Sequence, residues 1–307
     1  MKRSLRAELA LVALTLTAVN ALATVDPGLL NLVMPDAKFL AGVRVDQSEA
    51  SPFGQFLLAQ VPGDNAGFQM FIATTGFDPR RDLREVLVAS DGQATGARRG
   101  LLLARGTFQP ARILTAARTS AATVSSYRGI DVLTSPVQPS SFSAAFLDAS
   151  TLIGGDPEAV RAAIDRHIAG TVFSSPLAIQ AAEASATNHA WFVTTVPVAS
   201  LLGKLGDLNG MSPQNLLKTV SSVSGGVMFG TDAVTITLTT ASETEKDAHA
   251  LAEVMKFLGN MMAQTASALV DQAGALVHMT VSLSEQQAER SLKSRLPGPR
   301  KLADAGR

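Results

Sequence analysis

The sequence predicts an α+β fold of two tandem ferredoxin-like units, each an antiparallel sheet with helices on one face. Three observations carry that prediction. The order strand, helix, strand, strand, helix, strand can be read twice along the chain, at a spacing of about 150 residues. The strands alternate apolar and polar side chains, and the helices between them carry apolar stripes at helical spacing. With 46% hydrophobic and 17% charged residues, the chain also has the composition of a packed globular protein.

The first unit opens with a strand at residues 37–46, where Phe39, Ala41, Val43 and Val45 share one side. Helical segments follow over 51–75, split at Pro62-Gly63. A strand at 85–90, a loop at 91–100 and a strand at 101–107 form a hairpin. Pro110 starts a helix that runs to Arg118, and residues 123–135 read as one strand. Strands at 142–148 and 151–153 lead to a helix over 157–169.

The second unit opens with a strand at 190–196 and a helical region over 198–223, broken around 207–212. Residues 226–230, a turn at Thr231-Asp232, and residues 234–240 make a tight hairpin. The clearest helix spans 243–264, with Leu251, Met255, Leu258 and Met262 on one apolar stripe, of which Leu251, Met255 and Leu258 are expected to face the core. A strand at 275–283 and a helix at 285–296 close the unit, and Pro297-Gly298-Pro299 stops that helix. Each unit therefore reads as a split β-α-β arrangement with helices on one side.

The chain starts as an exported precursor would. Met1-Lys2-Arg3-Ser4-Leu5-Arg6 is basic, residues 9–19 are apolar apart from Thr15 and Thr17, and Ala21-Leu22-Ala23 is a small-x-small exit. The apolar run is shorter than the roughly 20 residues of a membrane span. The sequence thus divides into a signal peptide at 1–23, a first α+β unit at 24–170, a second at 171–296 and a flexible tail at 297–307. Thr24 is the expected first residue of an exported protein, periplasmic or extracellular. With no cysteine, the chain cannot be a lipoprotein anchored through a lipidated Cys, and thiol chemistry and disulfides are excluded.

The signal segment holds Lys2, Arg3 and Arg6 against Glu8, so the remainder has a slight acidic excess in a chain of zero net charge. A broad nucleic-acid surface needs a basic excess, and none is present. Beyond the signal segment, no apolar stretch reaches spanning length.

Three stretches resemble an uncharacterised family of exported bacterial proteins. They are Leu30-Asn31-Leu32-Val33-Met34-Pro35-Asp36-Ala37-Lys38, Gly76-Phe77-Asp78-Pro79-Arg80-Arg81-Asp82-Leu83, and the pair Phe146-Leu147-Asp148 and Thr151-Leu152-Ile153-Gly154-Gly155-Asp156-Pro157. The resemblance covers most of the chain after the signal. Its motifs are structural and imply no activity.

Candidate chemistry weighs lightly. Gly154-Gly155-Asp156-Pro157-Glu158 has the glycines of a phosphate loop, but it reads better as a helix start. Asp156 suits the N-cap, Pro157 the first helical position, and Glu158 the helix dipole, while a capping carboxylate repels phosphate. Asp78-Pro79-Arg80-Arg81-Asp82 reads as a capped turn with local ion pairs, not as two carboxylates converging across a cleft. Of the four histidines, His249 shares a helix face with Glu245 and Glu253, but Lys246 and Asp247 beside them make it a solvated charged face. No G-x-S-x-G elbow, S-x-x-K pair or P-loop occurs, and Gly203-Lys204-Leu205-Gly206 lacks the flanking residues of one. The strands at 101–107 and 234–240 carry no aromatics for stacking RNA bases, and one Trp and one Tyr cannot furnish a sugar platform. No metal site, cofactor or catalytic residue is assigned.

One candidate binding surface remains. In residues 234–240, Thr235, Thr237 and Thr239 alternate with apolar neighbours, and in 275–283 His278, Thr280 and Ser282 do the same. Their polar sides should form a continuous shelf. The function this supports is a non-catalytic binding or interaction protein of the cell envelope, whose partner would be another envelope protein. The alternatives are a carrier for a small apolar ligand, with Met70, Met228, Met255, Met261 and Met262 as an adaptable lining, and an enzyme with a dispersed site.

Overall fold

The computed structural model describes residues 24–60, 65–93, 99–119, 122–137, 140–197, 217–262 and 266–295. The signal segment, the tail, residues 198–216 of the expected helical region, Pro62-Gly63, Gly203-Lys204-Leu205-Gly206 and part of the loop at 91–100 lie outside the described residues.

The N-terminal half supplies strands β1 (Phe39–Arg44), β2 (Leu83–Ser90), β3 (Gly100–Gly106), β4 (Thr123–Tyr127), β5 (Ile130–Val137), β6 (Ser140–Phe146) and β7 (Thr151–Gly155). The C-terminal half supplies β8 (Ala190–Thr194), β9 (Val220–Phe229), β10 (Ala233–Ser242), β11 (Ser267–Ala273) and β12 (Leu276–Ser284). The helices are α1 (Pro27–Leu30), α2 (Val45–Ser48), α3 (Pro52–Ala59), α4 (Ala66–Thr75), α5 (Pro79–Asp82), α6 (Pro110–Arg118), α7 (Pro157–Ala169), α8 (Pro176–Thr187), α9 (Glu245–Met262) and α10 (Glu285–Arg295). The strands join into one twelve-stranded sheet, ordered β11-β12-β10-β9-β8-β1-β2-β3-β7-β6-β5-β4. Every neighbouring pair is antiparallel. The architecture is α+β on a large antiparallel sheet.

Two features differ from the expected arrangement. The halves share one sheet, because β1 pairs with β8 from Phe39↔Thr194 to Val43↔Ala190. Helices also lie on both faces, not one. Outward from the β1–β8 junction the halves run β1-β2-β3-β7-β6 and β8-β9-β10-β12-β11, the same order of crossings on either side.

Local chemistry explains where elements begin. Asp156 Oδ1 accepts from the Glu158 N–H at 3.0 Å, Pro157 occupies the first turn of α7, and Gly170 ends the helix in a left-handed conformation. The same logic starts α8, a helix not among the expected elements: Ser175 Oγ accepts from the Ala178 N–H, with Pro176 next. Residues 123–135 are two strands. Arg128 and Gly129 both take positive φ, 51° and 81°, the pattern of a two-residue hairpin turn. A further strand, β11, pairs with β12 through the turn at Gly274.

The largest core lies on one face, called here the first. Leu40, Leu87, Leu103, Ile153 and Val193 pack there against Leu29 and Val33 from the N-terminal segment, Val160 and Ile164 of α7, and Leu177 and Ala181 of α8. Fully burying a Leu or Ile contributes roughly 1.5–3 kcal/mol. Phe39, Ala41 and Val43 do share a side of β1, but the residue sealed from solvent is Leu40, on the opposite side.

The other face, the second, carries two smaller cores over the C-terminal half. Ala248, Leu251 and Met255 of α9 cover Val223 and Val277. Phe53 of α3 and Ala288 of α10 cover Phe229 and Val234. Leu258 does not join its predicted stripe: it is 38% exposed, whereas Leu251 is 6% and Met255 7%.

Candidate functional site

Between these two smaller cores, the second face is left open, and the register shows what lines it. Side chains of a β-sheet stack across strands in rows. One row runs Val86, Val43, Ala190, Val227, Ile236, Val281 across β2, β1, β8, β9, β10 and β12. The next runs Val88, Ala41, Phe192, Gly225, Leu238, Met279 over the same six strands. These residues, with Gly42, Trp191, Gly226 and Thr237 between the rows but without Gly225, line a trough of about 560 Å³ whose surface is almost wholly apolar. At roughly 4.8 Å per strand, its floor is about 24 Å long. On one side stands α9; on the other, α3 and α10 with Phe53, Phe229, Val234 and Leu283. Val88 and Ile236 are each 38% exposed, high for apolar side chains in the middle of a sheet.

Near the start of β2 lies a separate polar basin of about 340 Å³, lined by Asp26, Arg44, Asp46, Arg84, Glu85, Arg105, Gly106 and Ser150. Arg105 Nε donates to Asp26 at 3.0 Å, and Arg44 lies 3.6 Å from Asp46. Burial alone would raise the Asp26 carboxyl, but bonds from Arg105 and the Leu29 N–H outweigh it and hold Asp26 below the usual range. Glu85 accepts from the Asp26 N–H at 3.1 Å, and burial pushes its carboxyl up. At the α3 and α10 side, His189 stacks on Phe229 and its Nδ1 accepts the Phe229 N–H at 3.0 Å. Burial, with Arg44 adding, keeps that imidazole below its ordinary value.

The residues expected to form a polar shelf do come together, on the first face of the C-terminal half. Thr235 faces Ser282, Thr237 faces Thr280 and Thr239 faces His278 across β10 and β12. Three of these six residues are engaged within the protein: Thr237 donates to Asn188 Oδ1 at 3.2 Å, and Thr239 Oγ1 lies 2.8 Å from His278 Nδ1. His249 is 3.2 Å from Gln272, and Glu253 pairs with Lys256. Asp78 and Asp82 pair with Arg80 and Arg81, as their spacing suggested.

Sequence reading missed the trough. It took the apolar sides of residues 234–240 and 275–283 as buried, and nothing in one strand reports how many helices remain to cover a neighbour. The methionines expected to line a ligand site are elsewhere. Met70, Met228 and Met261 are exposed, Met255 is in the core under α9, the Met262 side chain lies outside what is described, and Met279 is the one methionine among the trough's lining residues.

No protein-family model and no curated protein matches the chain. Solved structures do: crystal forms I, III and IV of TP0453 align with TM-scores of 0.53. They are 12–13% identical, covering 88–89% of this chain and 97–99% of theirs. The likeness is one of fold. Among the described residues, no helix is long and apolar enough to cross a membrane.

Proposed function

We propose that this is a non-catalytic binding protein of the cell envelope whose ligand is a small apolar molecule held in the trough. The observation that carries this reading is the pair of apolar rows left open across six strands. Its volume falls within the roughly 300–1,000 Å³ of small-molecule sites, and leaving such a surface in water is unfavourable by about 25 cal/mol per Å². The signal-like pattern of residues 1–23 and the resemblance to exported bacterial proteins support an envelope role. The matching strand order of the halves supports two tandem units, joined edge to edge at β1–β8, although no two neighbouring strands run parallel as a pair does in a ferredoxin-like sandwich.

Titration with a neutral naphthylamine fluorophore, read by emission, tests the reading. Val88→Glu and Ile236→Lys each place a charge on the trough floor at partly exposed positions. Each should weaken the probe at least tenfold while leaving the urea midpoint near wild type. Unchanged binding in both variants would remove the trough as the site.

The register pairing of Thr235, Thr237 and Thr239 with Ser282, Thr280 and His278 favours a second reading, a docking face for another envelope protein. Short hydroxyl side chains lose little conformational freedom on contact. Thr235→Arg or Thr280→Arg should then abolish recovery of a co-purifying protein without loss of stability. Recovery at the wild-type level would leave a solvated sheet face.

A further inference from the structure

We propose that the polar basin at the start of β2 is a second ligand site, for a small amino-acid-like zwitterion whose ammonium is held by Glu85 and whose carboxylate meets Arg84. The basin shares no residue with the trough and stands independently of it. Sheet register builds the site. Arg44, Glu85, Arg105 and Thr151 form one row across β1, β2, β3 and β7. The pairing of β2 with β3 slips between Leu83 and Glu85, so Arg84 is bulged out of the ladder. A bulge re-aims the side chain it carries, and Arg84 joins Glu85 on the lining of the cavity.

Glu85 stands between two guanidiniums in that row, yet neither takes its carboxylate. Arg105 donates to Asp26 from Nε at 3.0 Å and from Nη2 at 3.2 Å, and its remaining nitrogen goes to Thr151. Arg44 lies 3.6 Å from Asp46. Glu85 keeps one hydrogen bond, from the Asp26 N–H to Oε1 at 3.1 Å, and among the described residues it has no ion pair. Its other oxygen has no protein partner there, and the cavity is the space open to it. The residue is nevertheless only 6% exposed. A buried carboxylate without a matched cation is unfavourable. Burial pushes this carboxyl up, with Asp26 and Asp46 adding, although the Asp26 N–H and Arg44 act the other way. An ammonium in the cavity supplies the missing donor and the missing charge together.

Arg84 is the other charge on the lining that the protein leaves unmatched. It is exposed, with no ion pair or side-chain hydrogen bond among the described residues. With Asp26 set against Arg105 and Asp46 against Arg44, the basin offers a ligand one carboxylate and one guanidinium. An occupant carrying both signs satisfies both, whereas a plain cation meets Arg84 and a plain anion meets Glu85, each a like charge. The volume of about 340 Å³ sits at the small end of ligand sites, which suits an amino acid.

Titrations followed by the backbone amide resonances of Asp26 and Gly106 provide the test, with L-alanine, ethylamine and propanoate as probes at neutral pH and low salt. Ethylamine is alanine without its carboxylate, and propanoate is alanine without its ammonium. In the wild type, alanine should bind about tenfold more tightly than propanoate and about threefold more tightly than ethylamine. Glu85→Gln keeps an acceptor for the Asp26 N–H, so the urea midpoint should hold while alanine falls to the propanoate level. Arg84→Gln should bring alanine down to the ethylamine level, and Arg84→Lys should restore most of the difference. Alanine that binds no tighter than propanoate, or is not weakened by Glu85→Gln, overturns the ammonium site. Alanine that binds no tighter than ethylamine overturns the zwitterion class. The absence of any shift at the two amides with all three probes would mean a self-contained charge network and sink the proposal. Were Glu85→Gln to unfold, the three probes on the wild type and the two Arg84 variants still decide.

Discussion

Leu251→Ala should lower the unfolding free energy by about 2–5 kcal/mol, the range for a buried leucine, whereas Leu258→Ala should cost under about 1 kcal/mol. Both residues fall at the helical spacing expected of one apolar stripe, so periodicity alone assigns them equal weight. The packing separates them. Leu251 is 6% exposed, in a cluster with Val223, Ala252, Met255 and Val277, so truncation leaves a cavity whose walls belong to two strands and cannot collapse. Leu258 is 38% exposed, beside Phe257 at 41% and Met261 at 68%, and its removal leaves no enclosed void. Urea unfolding of the two variants, with the slope checked against wild type, reads the difference. Equal losses would mean that the last turns of α9 are sealed against something else.

What the sequence made legible was local. Asp156-Pro157 and Ser51-Pro52 announce helix starts because caps act within one turn, and the alternation of 234–240 names its two sides because pleating has a fixed period. The six shelf residues could be grouped in advance for that reason, since one register offset decides whether Thr235 meets Ser282. The β1–β8 junction had no such signal: Phe39 and Thr194 meet across a separation that neither strand encodes. Helix α8 was missed because Pro176–Thr187 is rich in Ala with a weak apolar stripe, so it resembles a connector until Ser185 is seen bonding the Val25 N–H. The trough needed both kinds of knowledge. Val86, Val43 and Ile236 each look like core on their own strand; only the sheet order shows that their rows are continuous and that α9, α3 and α10 leave the middle uncovered.

Gly155→Ala should cost at least about 3 kcal/mol and, if tolerated at all, separate β7 from β3 before the rest of the sheet yields. Gly155 has φ 144°, a backbone conformation essentially reserved to glycine and costing about 1–3 kcal/mol for another residue. A Cβ there would stand 2.2 Å from the Gly100 carbonyl oxygen, which is backbone and cannot swing aside. That same oxygen accepts the Asp156 N–H at 3.2 Å, so the clash falls where β3, β7 and the cap of α7 are tied together. Its neighbour provides the control. A Cβ on Gly154 would meet the ring of Phe142 at 2.8 Å, but Phe142 is a half-exposed side chain that can rotate, and Gly154 has no positive φ. Gly154→Ala should therefore cost about 1 kcal/mol or less. The two glycines that resembled a phosphate loop are thus assigned a backbone reason for one of them and none for a ligand. Urea midpoints of the pair, with and without inorganic phosphate, test this. Similar losses in both variants, or a midpoint raised by phosphate in the wild type and not in Gly155→Ala, would return the motif to the list of binding sites.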